Sequence, residues 1–154
     1  MELAPATVET YVRLAFTQMA TAVDRIGDLL VNERPFGPET NSVAALITHC
    51  CGVSEFWLGC VGLGRATTRD RDSEFAATAT TAELHARIEA TQRQVLSDVR
   101  RLDAGEASPA NQAVRETLED ADVTDGALVM HLLEELYQHL GHMQLTVDAL
   151  LARP

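Results

Sequence analysis

Four long segments that lack proline and repeat apolar residues at helical spacing constrain the fold of this chain most strongly. In the first segment the apolar residues lie three and four positions apart, as on one face of an α-helix: Val8, Val12, Ala15, Met19, Val23 and Ile26. Proline lacks the N–H group that a helix interior needs, and the prolines fall outside these segments. We therefore predict an all-α four-helix bundle with helices at about 7–32, 42–63, 81–104 and 125–152.

Polar residues that can cap a helix stand at the start of the last three segments. The candidate caps are Asn41 or Ser42, Thr80 or Thr81, and Thr124 or Asp125. Glu83 follows the second of these pairs within the first helical turn, where an acidic side chain is favourable. These residues predict where the helices begin.

The links between the segments differ in length. Residues 33–41 form a short link, which predicts that the first two helices are antiparallel neighbours. Residues 64–80 could span about 56 Å when extended, so this link could return along the bundle and up-down-up-down order is not required. The acidic link 105–124 is predicted to hold one short helix around 110–119.

The composition is that of a globular protein and excludes several classes of partner. The 154 residues fit one domain, here 1–154, and a net charge of −11 repels phosphate backbones, so we expect no nucleic-acid partner. The chain has no run of 18 apolar residues, and its acidic N-terminus lacks an apolar signal core. We therefore expect no membrane span and a cytoplasmic location.

Three cysteines lie in the second segment, at Cys50, Cys51 and Cys60. Their odd number and the lack of a C-x-x-C pair argue against a disulfide framework or a structural zinc site. We expect small buried thiols on a helix.

The fourth segment, ALVMHLLEELYQHLGHMQLTVDALL, has an apolar stripe beside a polar one. The polar stripe consists of His131, Glu135, Gln138, His139 and His142. Glu135 and His139 are four residues apart on one helical face, so a carboxylate oxygen and an imidazole nitrogen can reach one ion. The alternative for this helix alone is a solvated polar face that carries several histidines by chance.

The second segment, NSVAALITHCCGVSEFWLGC, supplies a third candidate ligand. His49 lies in the middle of an apolar stripe, where a buried imidazole needs partners for its ring nitrogens. Taken alone it could be a hydrogen-bonded core histidine. With Glu135 and His139 it completes three ligands, the number expected of a catalytic metal site that keeps a position open for water or substrate.

The two motifs together resemble a known family. HCCGVSEFWLG followed by EELYQHLGH is similar to the DinB-type metal-binding bundles, over about 40–75 and 128–152. The resemblance is greatest to their thiol-dependent branch, which includes the N-terminal domain of mycothiol-dependent maleylpyruvate isomerase and the mycothiol S-transferases. The family's metal ligands correspond to His49, Glu135 and His139. By the same resemblance we expect Trp57 and His142 to contact the thiol cofactor without binding the metal.

The resemblance also implies a topology and an activity. The expected topology is up-down-down-up, with a long crossover between helices two and three. The expected activity is thiol S-transfer, in which a divalent metal activates a low-molecular-weight thiol, mycothiol, toward an electrophilic substrate. Zinc is expected by resemblance, although nickel and ferrous iron accept the same ligands. The isomerase carries a second, C-terminal domain that the 154-residue sequence lacks, which weighs against its specific reaction.

Two other functions fit the same ligands. A hydrolase would use metal-bound water with Glu134 or His142 as base, although Glu134 points about 100° away from Glu135 on a helix. A non-enzymatic stress-response protein would keep the metal-binding bundle without catalysis. We also expect a homodimer, because helices one and three carry more apolar positions than one bundle needs.

Several other residues fit either a structural or a functional role. His131 is expected to face solvent, with replacement or support of a ligand as the alternative, and His85 is expected on the surface of helix three. Three arginines of the second link could meet an anionic substrate, with a solvated loop as the default: Arg65, Arg69 and Arg71. Three glycines inside predicted helices suggest close helix approach or room for a ligand: Gly52, Gly59 and Gly141.

Overall fold

The chain is all-helical over the residues that the computed structural model describes, 3–106 and 123–152, which contain no β-strand. The helices are α1 (Pro5–Leu30), α2 (Val43–Ser54) with a π-helical continuation (Glu55–Gly62), α3 (Arg71–Phe75), α4 (Thr81–Asp103) and α5 (Asp125–Leu151). The four long predicted helices are confirmed, and each boundary lies within two residues of the predicted one. The short α3 was not predicted, and the helix predicted around 110–119 lies outside the described residues.

The predicted caps are found at the starts of α2, α4 and α5. The Ser42 hydroxyl accepts a hydrogen bond from the Ala45 amide, and the Thr124 side chain caps α5 in the same way. Thr80 and Glu83 form a capping box, in which each side chain bonds the other residue's backbone N–H. Pro5 opens α1 at a position where its missing N–H costs nothing.

Two helices depart from regular α-geometry. Gly27 interrupts α1 with φ 63° and ψ −176°, a backbone conformation that residues with a side chain rarely adopt. The last eight residues of the second long helix form a π-helix from Glu55 to Gly62. Insertions of this kind are frequent at functional sites.

α1 packs mainly against α4 and α5. The pairs that join α1 to α4 run in opposite order along the chain: Glu9 with Arg100, and Asp24 with His85. The pairs that join α1 to α5 run in the same order: Tyr11 with Tyr137, and Gln18 with Gln144. α1 is therefore antiparallel to α4 and parallel to α5.

α2 packs against the same two helices and contacts α1 only slightly. His49 lies beside His139, and Trp57 lies beside His131, so α2 and α5 are antiparallel. α1 and α2 are therefore antiparallel, as predicted, but they contact each other much less than each contacts α5. A short link requires only that the end of one helix lie near the start of the next, whereas α1 and α2 each bury their apolar faces against α4 and α5.

The interior is apolar and receives side chains from all four long helices. Among its largest fully buried side chains are Phe16, Met19, Leu46, Leu84, Leu136 and Met143. The segment Val43–Gly62 is the one helix of the described residues that is long and apolar enough to cross a membrane, with a mean hydropathy of 1.4. Within the fold 72% of its apolar window is buried, as in the core helix of a soluble protein, so this property is weak support for a membrane span.

Candidate metal centre

The three predicted ligands meet where α2 packs against α5. His49 lies in the middle of α2 and is 3% exposed, so its ring points into the protein. Glu135 and His139 lie one turn apart on α5, and their side chains are only 21% and 17% exposed. One ligand atom from each of the three residues lies within 4.8 Å of the other two. The i, i+4 spacing on α5 and the antiparallel packing of α2 produce this convergence.

The distances between the ligand atoms fit a single divalent ion. Glu135 Oε2 lies 3.5 Å from His49 Nε2 and 3.3 Å from His139 Nε2. A tetrahedral zinc ion with bonds of about 2.0–2.1 Å would hold its ligands about 3.4 Å apart. Two nitrogens and one oxygen also suit nickel and ferrous iron, so the ligand set admits several divalent metals.

Two polar atoms at this place lack hydrogen-bond partners within the described residues. Glu135 Oε2 and His139 Nδ1 are both buried and unpaired there. Buried polar atoms are nearly always paired, so Glu135 Oε2, which faces a ring nitrogen of each histidine, fits a site whose partner is a bound ion. Burial, reinforced by the neighbouring His49, lowers the pKa of His139. This favours the neutral imidazole, which is the form that binds a metal.

Glu74 is a fourth residue of the site, and the sequence analysis missed it. Its Oε2 lies 2.8 Å from His49 Nδ1, on the opposite side of the ring from Glu135. Glu74 is 6% exposed, although it belongs to the five-residue helix α3 in a link expected to be solvated. The only available signal was the single glutamate in RDSEF beside an aromatic residue, which is too common to predict a buried carboxylate.

Arg69 and Gly52 hold Glu74 against α2. The Arg69 guanidinium donates to both oxygens of Glu74, at 2.7 Å and 2.9 Å. Gly52 leaves the space into which the carboxylate fits, because a Cβ at this position would collide with Glu74 Oε1. The Phe75 ring stacks on the His49 ring with a centroid distance of 4.5 Å. Arg69 therefore binds a carboxylate of its own chain, and the anionic-substrate alternative is not supported for it.

A family model for mycothiol-S-transferase matches residues 7–149 of the chain. This range spans all three candidate ligands and the whole of the four long helices except their outermost residues. The chain belongs to the mycothiol-S-transferase family. The predicted resemblance to the mycothiol-related branch is thereby confirmed. No curated protein and no solved structure matches the chain.

In this mycothiol-S-transferase family member, two further histidines of α5 lie near the ligands. His131 Nε2 is 3.7 Å from Glu135 Oε1, and its ring packs edge-on against Trp57 at 4.6 Å between centroids. The side chain of His131 is 36% exposed, so it faces solvent and also contacts a predicted ligand. His142 lies half-buried one turn after His139. Contact of Trp57 and His142 with a thiol stays a prediction.

The cysteines of the family member are buried and unpaired by disulfides, as expected. Burial raises the pKa of Cys51 to about 11 and that of Cys50 well above its usual range. Both thiols are therefore protonated at neutral pH, and a protonated thiol is neither a good nucleophile nor a metal ligand.

The remaining predicted positions have structural partners. Arg65 pairs with the fully buried Asp98 and lies over Gly59, where a Cβ would collide with its guanidinium. The glycines at 52 and 59 thus admit side chains of the protein itself, whereas a Cβ at Gly141 would meet nothing within 4 Å. His85 lies at the surface as predicted and pairs with Asp24 at 2.9 Å.

Proposed function

We propose that this protein is a metal-dependent thiol S-transferase. In this proposal His49, Glu135 and His139 hold one divalent cation, zinc in the first instance, and the activated thiol is mycothiol. The observation that carries the proposal is the convergence of three ligand atoms within 4.8 Å in a chain of the mycothiol-S-transferase family.

The chemistry of the site follows from the ligand count. A divalent ion lowers the pKa of a thiol that coordinates it, so that the sulfur is a nucleophile at neutral pH. Three protein ligands leave at least one position open for that sulfur. Glu135 and His139 are partly exposed, so a small molecule can approach the site from their side. The thiolate would then attack the electrophile, so that a bond to sulfur forms while the bond to the leaving group breaks. The leaving group would depart with that electron pair, and the proton of the thiol would pass to solvent.

The state of the protein's own thiols supports a thiol supplied from solution. Cys50 and Cys51 lie on the same helix as His49, but both are buried and protonated at neutral pH. Neither can therefore replace the external thiol as nucleophile without a large change in the core.

Trp57 and His142 are proposed to contact the thiol cofactor. Trp57 packs against His131, which in turn contacts Glu135, so the indole lies near the edge of the ligand cluster. Trp57→Ala should raise the KM for the thiol at least about five-fold while leaving the metal content unchanged, since indoles supply contact area for ligands. An unchanged KM would remove Trp57 from the thiol site.

The central test measures bound metal and activity on the same preparations. Wild type should bind one equivalent of zinc, and metal-loaded protein should accelerate conjugation of mycothiol to a bimane electrophile. Glu135→Ala and His49→Ala should lose the metal and at least about 100-fold of the activity, because a ligand is removed. His85→Ala is the matched control, since this histidine lies outside the cluster and should change neither quantity.

The same assay separates the two other functions. A hydrolase would turn over an ester or amide substrate without added thiol. A non-enzymatic metal-binding protein would bind the metal and accelerate neither reaction. Equal zinc content in wild type, Glu135→Ala and His49→Ala would end the assignment of the metal site itself.

We further propose that the four long helices form an up-down-down-up bundle with residues 63–80 as the long crossover. The residue pairs between helices support this order, because α1 pairs in parallel with α5 and in antiparallel with α4. An experimental structure with α1 and α5 in opposite directions would overturn it. The homodimer, the cytoplasmic location and the absence of membrane and nucleic-acid partners stay predictions.

A further inference from the structure

Glu74 contacts a predicted ligand without being able to bind the same ion. Its carboxylate bonds His49 Nδ1, while His49 Nε2 faces Glu135 from the other side of the ring. An ionised carboxylate, such as one paired with Arg69, can only accept hydrogen bonds, so the 2.8 Å contact favours an imidazole proton on Nδ1. In the neutral ring, the nitrogen that faces Glu135 and the candidate metal centre is then Nε2, the one without the proton.

We propose that Glu74 is the positioning residue of the metal centre. It fixes His49 in the tautomer and orientation that present Nε2 to the cation, and Arg69 and Gly52 fix Glu74 in turn. This inference rests on the proposed metal-dependent function. Its role is indirect, because its carboxylate meets the Nδ1 edge of His49 and not the Nε2 edge that faces Glu135.

The orientation of Glu74 is determined on both sides. The Arg69 guanidinium binds the two carboxylate oxygens as a planar fork, which sets the plane of the carboxylate. Gly52 allows Oε1 to lie directly against the backbone of α2. These contacts leave Oε2 directed at His49 Nδ1. The position of α3 therefore determines the orientation of the imidazole ring.

The His49 ring is restrained from its face as well as its edge. The Phe75 ring, next to Glu74 in sequence, stacks on the imidazole at 4.5 Å with an interplanar angle of 30°. Rotation of the ring about its own axis would break the bond to Glu74, and a shift of the ring would break the stacking on Phe75. Adjacent residues of α3 therefore hold two degrees of freedom of one ligand.

The competing explanation is a purely structural ion pair that closes the second link onto α2. Both explanations predict lower stability when Glu74 is removed. They differ in the metal affinity of protein that remains folded and in the tautomer of His49 before metal is added.

The first experiment measures zinc affinity by competition with a chelating dye. Glu74→Ala should weaken binding about 10- to 100-fold, which is typical when the partner of a ligating histidine is removed. Glu74→Gln keeps an acceptor for Nδ1–H and should restore most of that loss, to within about five-fold of wild type. Asp98→Asn is the matched control, because it disrupts a second buried carboxylate–arginine pair that does not contact a ligand.

The second experiment records the tautomer of His49 by nitrogen-15 NMR of metal-free protein with labelled histidine. Wild type and Asp98→Asn should show the proton on Nδ1, and Glu74→Ala should show a mixture of the two tautomers. If Glu74→Ala does not fold, Gly52→Ala takes its place, because the new Cβ displaces the carboxylate without removing a charge.

The outcomes separate the two proposals. Wild-type protein that binds none of zinc, nickel and ferrous iron overturns the metal function, whereas the NMR experiment still tests the bond to Glu74. Wild-type protein that binds zinc, with unchanged affinity and tautomer in Glu74→Ala, leaves the metal centre in place and overturns the positioning role.

Discussion

Two buried carboxylate–arginine pairs lie over Gly52 and Gly59, which are seven residues apart on the same long helix. The two pairs contact different third groups. Glu74 with Arg69 lies over Gly52, and its Oε2, which also accepts a hydrogen bond from Arg69, meets the ring of a predicted ligand. Asp98 with Arg65 lies beside Gly59, and its bonded oxygen meets another side chain of α4, Gln94.

The two pairs differ in the third group that each contacts, and in our proposal this third group gives the Glu74 pair its functional role. In both pairs an arginine of the second link neutralises a buried acid, and in both a glycine leaves space for a polar side chain. The Asp98 pair joins the second link to α4. The Glu74 pair joins the same link to a histidine that lies beside two other candidate metal ligands.

The largest effect on stability is expected at the Asp98 pair. Asp98→Ala removes a fully buried charge and should lower the free energy of unfolding by about 3 kcal/mol, because its partner loses a buried counter-ion. Urea unfolding of metal-free protein measures this quantity. A loss below about 1 kcal/mol would mean that Arg65 reaches water without cost and that the two pairs are not comparable.

Bound metal should slow thiol labelling more strongly near the Glu74 pair than near the Asp98 pair. Zinc at about 100 times its dissociation constant stabilises the bound fold by about 2.7 kcal/mol, so labelling of Cys50 and Cys51 should slow about 100-fold. Cys60 lies in the π-helical continuation beside Gly59, and its labelling should slow less than about ten-fold if that region opens locally.

Thiol labelling is followed by mass spectrometry on variants that keep a single cysteine. Without metal, Cys51 should already react slowly, since a pKa of about 11 leaves about one thousandth of the thiol ionised at pH 8. Equal protection of Cys51 and Cys60 by zinc would indicate that the molecule opens only as a whole.

Substitution of a glycine by alanine should change the free energy of unfolding by a smaller amount. Gly59→Ala should destabilise the protein by about 1–2 kcal/mol, because its Cβ must displace the Arg65 guanidinium. Gly141→Ala is the control, since a Cβ there meets nothing within 4 Å and should stabilise α5 by up to about 1 kcal/mol. Thermal unfolding measures both changes. Destabilisation by Gly141→Ala would mean that a Cβ at this position does meet neighbouring atoms.

The smallest effect is expected at a helix cap distant from both pairs. Thr80→Ala removes the hydroxyl that accepts a hydrogen bond from the Glu83 amide, while the backbone N–H at position 80 can still donate to Glu83, and the loss should cost about 1 kcal/mol. Its zinc affinity should equal that of wild type, which provides a baseline for variants near Glu74. A change in zinc affinity would mean that a loss of stability by itself weakens zinc binding. Only the additional loss of affinity in Glu74→Ala could then be assigned to the positioning of His49.

Much of the fold was predictable because it depends on local pattern. Apolar spacing and capping residues such as Ser42 and Thr80 act within one or two helical turns, so they predicted the four long helices to within two residues. The candidate ligands were also predictable, because Glu135 and His139 share a helical face and His49 is a polar residue in an apolar stripe.

The sequence by itself determined the four long helices, the family and the three residues that could share an ion. Only the tertiary structure decided that α1 packs against α4 and α5 instead of α2, and that Glu74 joins the site. The physical reason is the range of the interactions. Helix periodicity is set by neighbours three and four residues away, whereas Glu74 meets a histidine 25 residues distant through a link whose path no local pattern specifies.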